Sequence, residues 1–128
     1  MPFKAVLKIE DTQYNILKCY YGLNQQTDAT GRPSSITQGG IITFLIESTA
    51  STVFSDWMFN SFETKNGSIV FYKRDAESTL KELFFNEAYV IKYTEYFNSK
   101  GRRPMTARVT ISSRQISIGN GEHINEWV

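Results

Sequence analysis

Met105-Thr106-Ala107-Arg108-Val109-Thr110-Ile111-Ser112-Ser113-Arg114-Gln115-Ile116-Ser117-Ile118 is the stretch that decides the fold class. Apolar and polar residues alternate along it, as in a strand with one face on a core. Val109 and Ile111 are odd-numbered, whereas Ile116 and Ile118 are even. A one-residue change of phase is what a β-bulge or a sharp bend produces. Fourteen residues of this pattern predict one long, bent strand, with Gly119-Asn120-Gly121 ending it.

The same period recurs on the N-terminal side. Phe3, Ala5, Leu7 and Ile9 alternate through a first strand. Glu10-Asp11-Thr12 is a short polar turn, and a second strand over Tyr14–Leu23 completes a hairpin. Gly39-Gly40 opens a strand over Ile41–Glu47. Further strands are predicted over Ile69–Lys73, Leu80–Phe85 and Ala88–Phe97, although Asp75–Leu83 also reads as a helical turn. Asn98 to Pro104 is a turn-rich connection. One segment has helical period. Over Ser51–Phe62, Ala50, Val53, Phe54, Trp57, Met58 and Phe62 gather on one side at about 100° per residue. Ser48, Thr49 or Ser51 is a candidate cap, and Asn66-Gly67 a candidate stop. About seven strands with one inserted helix predict a mainly β fold, a closed or nearly closed antiparallel barrel. The helix packs across its wall or its mouth.

The chain of 128 residues fits a single domain, 1–128, with enough length for one core. Tyr and Phe dominate an aromatic content of 14%, which favours pleated, half-buried surfaces. Fourteen basic and 13 acidic residues leave a net charge of +1, without the surplus that nucleic acid as main partner requires. The first residues lack the apolar run of a signal peptide, and no stretch reaches the ~18 apolar residues of a membrane span. A chain made in the cytoplasm, without membrane insertion, is the expectation. With Cys19 as the one cysteine, no internal disulfide forms.

The catalytic inventory is poor. His123 is the one histidine, and a metal site needs several ligands converging. Cys19 lies mid-strand among apolar neighbours, the setting of a buried structural thiol. Acid pairs such as Glu47 with Asp56 have nothing that sets them across a cleft. Lys100, Arg102 and Arg103 read as a solvated turn, and Phe71-Tyr72 as sheet face. No catalytic residue, metal ligand or cofactor site is assigned.

Two features resist a purely structural reading. The first is the polar run Asn24 to Gln38, with Ile36 its one large apolar residue. Loops of this length are usually functional or disordered. Gly31 admits positive φ, and Pro33 biases Arg32 toward extended backbone, so the centre is shaped. Fully extended, the run spans about 45 Å, enough to reach a neighbour. The second is Trp127, next to last in the chain. A terminal Trp is expected to bury itself, on its own barrel or on the next subunit.

Thr30-Gly31-Arg32-Pro33-Ser34-Ser35, the segment from Glu47-Ser48-Thr49 to Asp56-Trp57-Met58, and the ending Ser112 to Asn120 with Glu122-His123-Ile124-Asn125-Glu126-Trp127 together resemble the tube protein of type VI secretion systems, the Hcp or TssD family in its Bacteroidetes form. The resemblance covers essentially the whole chain. Gly121 departs from it, standing where alanine is expected. The resemblance implies a barrel of two packed sheets with a flanking helix and a long extended loop. It implies a structural protein without catalysis that forms six-membered rings stacked into a hollow tube. Partners would be further copies of itself and the sheath, spike and effector proteins of the apparatus, which would also export it. The expected subunit interface comprises Thr30, Gly31, Arg32, Pro33, Ser34, Ser35 and Trp127, with Arg32 making a charge-assisted hydrogen bond. The rival reading is a monomeric barrel around a small ligand.

Overall fold

A computed structural model describes residues 3–73 and 78–127. The elements in chain order are β1 (Lys4–Ile9), β2 (Thr12–Tyr21), β3 (Ile41–Glu47), α1 (Val53–Phe59), β4 (Lys65–Tyr72), β5 (Thr79–Phe97), β6 (Met105–Ile118) and β7 (Gly121–Ile124). The strands run in the order β3-β2-β1-β4-β5-β6-β7, every pairing is antiparallel, and β3 also pairs with β6. That last pairing closes six strands into a barrel, with β7 as an extra strand on β6. Closure removes the free edges of the six.

The inward positions fill one core. Leu7, Ile42, Phe44, Ile69, Leu83, Phe85, Val109 and Ile111 are fully buried in it. α1 covers one end. Its Phe54 ring lies 4.9 Å from the Tyr14 ring of β2 and 5.9 Å from the Phe44 ring of β3. Trp57 is also fully buried, and its indole N–H donates to the Glu63 carbonyl at 2.8 Å.

The helix is shorter than its period suggested. It stops at Phe59, because Asn60 is extended and the chain turns there so that Glu63 can accept from Trp57. A seven-residue helix has little stability of its own, so two buried anchors set its extent. Ala50, Met58 and Phe62 therefore lie exposed, not on the buried side. The residue before it is Thr52, whose hydroxyl donates to Asp56, while Ser51 Oγ accepts weakly from the Val53 amide at 3.3 Å. Asn66-Gly67 is no helix stop. It lies inside β4, where the register with β5 shifts between Lys65 and Gly67.

That shift explains a second difference. The predicted strands Leu80–Phe85 and Ala88–Phe97 are one 19-residue strand, β5. Glu87 carries positive φ (52°) and its amide donates to Asn66 Oδ1 at 2.8 Å, forming a bulge against β4. The side-chain phase reverses there: Leu83 and Phe85 point inward before it, Ala88 and Val90 after it. β6 reverses at the same level, from Ser113 to Ile116, with Ser113 opposite Ala88 and Ile116 opposite Phe85. The phase change read in β6 is thus a bend shared by two strands. Arg114 and Glu87, side by side at the bend, form an ion pair at 2.9 Å. The Asp75–Leu83 helical alternative fails from Thr79 onward, where β5 has begun, and its earlier part lies outside the described residues.

Candidate assembly site: the arm and the tail

Residues 24–38 fold back on themselves as an arm. Asn24 and Gln38 exchange backbone hydrogen bonds of 2.9 and 2.6 Å at its base. Further out, the Ser34 amide donates to the Gln26 carbonyl, and Thr27 bridges Pro33. The tip is organised by one carboxylate. Asp28 Oδ1 accepts from the Thr30 amide (2.8 Å), the Thr30 hydroxyl (2.7 Å) and the Arg32 amide (3.1 Å). These bonds hold the Asp28 carboxyl below its ordinary value, the Thr30 hydroxyl contributing most. Gly31 has φ 87° with open space around it, so the turn, not crowding, requires glycine there.

Doubling back halves the reach of a fully extended run to about 23 Å. The arm touches its own barrel only near its base, where Thr37 lies beside Ile116, Ile118 and His123. Residues 22–34 are all exposed, and the Ile36 side chain is 81% exposed. Arg32 uses its backbone in the tip, whereas its guanidinium has no ion-pair partner among the described residues. Of the expected interface residues, Thr30 to Ser35 thus share one arm, while Trp127 stands apart in the tail.

Sequence reading missed how the arm is rooted. Asn125 Nδ2 donates to the Gly39 carbonyl and to the Ser113 carbonyl, both at 3.0 Å. Its Oδ1 lies 3.0 Å from His123 Nε2. The amide thus ties together the arm's root, the bend of β6 and the strand β7. Gly40 has φ 99°, and a Cβ there would stand 2.5 Å from Asn125 Nδ2 and 2.6 Å from the Ser113 carbonyl oxygen. The Gly39-Gly40 pair was legible only as a strand opening. Its partner is 86 residues away, so no local pattern announced it.

Trp127 packs on its own barrel in part. Its ring lies 5.3 Å from that of Tyr89, and it remains 40% exposed. Cys19 is half-buried beside the core, and burial pushes its thiol up to about 11. Glu47 pairs with Arg103 at 2.8 Å, and Asp56 accepts from Thr52, so the two acids serve separate contacts. The interior that a small ligand would need is occupied by Leu7, Ile42, Phe44, Phe85 and Ile111. Near the start of α1, Tyr14, Ser51, Phe54, Tyr93 and Glu95 enclose a cavity of only about 110 Å³. Drug-sized ligands occupy several hundred cubic ångströms.

Comparison with known proteins agrees with this geometry. The family model described as hemolysin coregulated protein Hcp (TssD) matches residues 1–128. Among solved structures, Hcp1 from Flavobacterium johnsoniae is 48% identical, with a TM-score of 0.90 over 95% of this chain and 99% of that one. Hcp1 from Salmonella typhimurium shares the fold at 14% identity, with a TM-score of 0.77 over 97% of this chain and 95% of that one. The tube-terminating cap of the anti-feeding prophage shares it more distantly, at 14% identity and a TM-score of 0.54 over 91% and 88%. Among curated proteins, no sequence matches. The chain belongs to the Hcp (TssD) family, the tube proteins of type VI secretion systems.

Proposed function

We propose that this chain forms rings of six that stack into a hollow tube, and that the arm clasps an adjacent copy. One observation carries the reading. The arm is ordered by its own hydrogen bonds, is exposed from residue 22 to 34 and presents a guanidinium with no ion-pair partner among the described residues. An ordered segment with little intramolecular burial gains from an intermolecular partner, and head-to-tail contacts close into rings when the rotation allows. Exposed apolar side chains agree, since Phe59 and Phe62 are 85% and 87% exposed. Trp127 contributes its uncovered part to a neighbouring copy. The ring number rests on family likeness. So do the sheath, spike and effector partners, and export of the cytoplasmic product by the apparatus itself.

Size-exclusion chromatography and electron microscopy of the purified chain test the reading. Rings, alone or stacked, are expected. A strictly monomeric species at tens of micromolar overturns it. Arg32→Ala, or deletion of residues 30–35, should lower ring yield while circular dichroism stays native. Unchanged ring yield would remove the arm from the interface.

A further inference from the structure

One face of the barrel wall carries cations that nothing among the described residues neutralises. Register places the outward side chains of four neighbouring strands in two rows. Lys18, Leu45, Arg108 and Thr94 form one row. Tyr20, Thr43, Thr110 and Lys92 form the next. Thr43 and Thr110 share a hydrogen bond at 3.1 Å, which fixes both on this face. Lys18, Lys92 and Arg108 are exposed, and among the described residues none pairs with an acid. Lys18 and Arg108 stand on either side of β3, about 10 Å apart at the backbone. Glu47, the first acid further along β3, is already held by Arg103.

The face is also shaped. Lys18 and Tyr20 form one wall of a groove of about 470 Å³, Arg108 the other, and Thr43 and Leu45 line it between them. Tyr20 is 76% exposed. A carboxylate between the two walls would meet both cations, with an aromatic ring and a leucine beside it for the adjoining carbon chain.

We infer that this groove binds an acidic polypeptide segment of another protein, its carboxylates seated between Lys18 and Arg108 and within reach of Lys92. A second copy of the chain is a poor occupant. Among the described residues, its acids outside hydrogen bonds and ion pairs are Asp11, Glu82 and Glu126, on three separate elements. A nucleic acid fits less well too. Three cations neutralise about three phosphates, fewer than the roughly six to ten contacts on which strong nucleic-acid binding rests. In the tube reading, on which this clause alone rests, the bound protein is one that the tube transports.

The probe is a fluorescein-labelled ten-residue peptide of alternating glutamate and alanine, titrated with the full chain at 0.1 M salt and read by anisotropy. Saturable binding is expected, and a lysine–alanine peptide should not bind. Lys18→Gln with Arg108→Gln should weaken binding about tenfold, whereas Lys100→Gln with Arg102→Gln should leave it unchanged. No binding by the wild-type chain, equal binding of the lysine peptide, or tighter binding of a DNA oligonucleotide would each overturn the inference. Loss of rings in the Lys18/Arg108 variant would also overturn it, by making the face a contact between copies. A wild-type chain that forms rings yet ignores the peptide refutes this inference alone. A monomer that binds the peptide refutes the tube reading alone.

Discussion

The barrel and the arm are both ordered, and for opposite reasons. The barrel is held by buried apolar area: Phe44, Phe85, Ile111 and their neighbours lose nearly all contact with water. Each such side chain contributes roughly 1.5–3 kcal/mol. The arm buries little and is held by local hydrogen bonds, three of them accepted by the Asp28 carboxylate. Bonds of that kind, made in contact with water, add little to the stability of the fold. Order without burial does little for the isolated fold, which agrees with the proposed role of the arm outside its own subunit. The two regions should therefore respond differently to the same kind of change.

The largest effect is expected in the core. Trp57→Ala removes a fully buried ring and its bond to Glu63, and should cost about 3–5 kcal/mol in urea denaturation. A loss below 1 kcal/mol would mean that α1 is dispensable to the barrel. The junction comes next. Gly40→Val drives a branched side chain into the Ser113 carbonyl at an unfavourable φ, and should cost at least about 1–3 kcal/mol. Gly31→Val has positive φ without the collision, so its smaller loss should stay within the arm. Equal falls in global stability would erase the distinction between the regions. Asn125→Ala, which releases the arm's root from the tail, should cost about 1–3 kcal/mol and raise amide exchange near Gly39.

The smallest effect is expected at the arm tip. Asp28 has its carboxyl lowered below the ordinary 3.8 by the bonds it accepts. Tip stability is therefore fully present above pH 3.8 and is lost as pH falls through the lowered folded value. Amide resonances of Thr30 and Arg32 should move toward random-coil positions in that range, before those of the core strands. Simultaneous movement would show that arm and barrel unfold as one unit.

Much of the barrel was legible because alternation is a property of a strand and its nearest water. β3 and β6 follow it closely, whereas in β1 Val6 is buried beside Leu7, and Phe3, expected on the core side, is exposed. The bend in β6 was visible as a change from odd to even apolar positions. Its counterpart in β5 was misread as a break between strands, because Asn86-Glu87 looks like a turn. Only the neighbouring Asn66 and Arg114 show that hydrogen bonding continues through it. The candidate site was half legible. The arm's length and its Gly31 and Pro33 marked it as shaped, and Trp127 marked the tail. Asn125, which joins them, stood in the quoted tail motif, but nothing local pointed to its partners Gly39 and Ser113.

Taken alone, the sequence determined the mainly β class, the existence of one helix, a shaped polar arm and a resemblance to the type VI tube family. Each of these is written in local period, local turn chemistry or motif. The tertiary structure alone decided that β3 closes on β6, that β5 runs unbroken through Glu87, that the helix ends at Phe59, and that Asn125 roots the arm. Those outcomes depend on which strand edge, carbonyl or cavity distant residues leave open. A hydrogen-bond donor finds its acceptor in space, and alternation along the chain does not encode that partner.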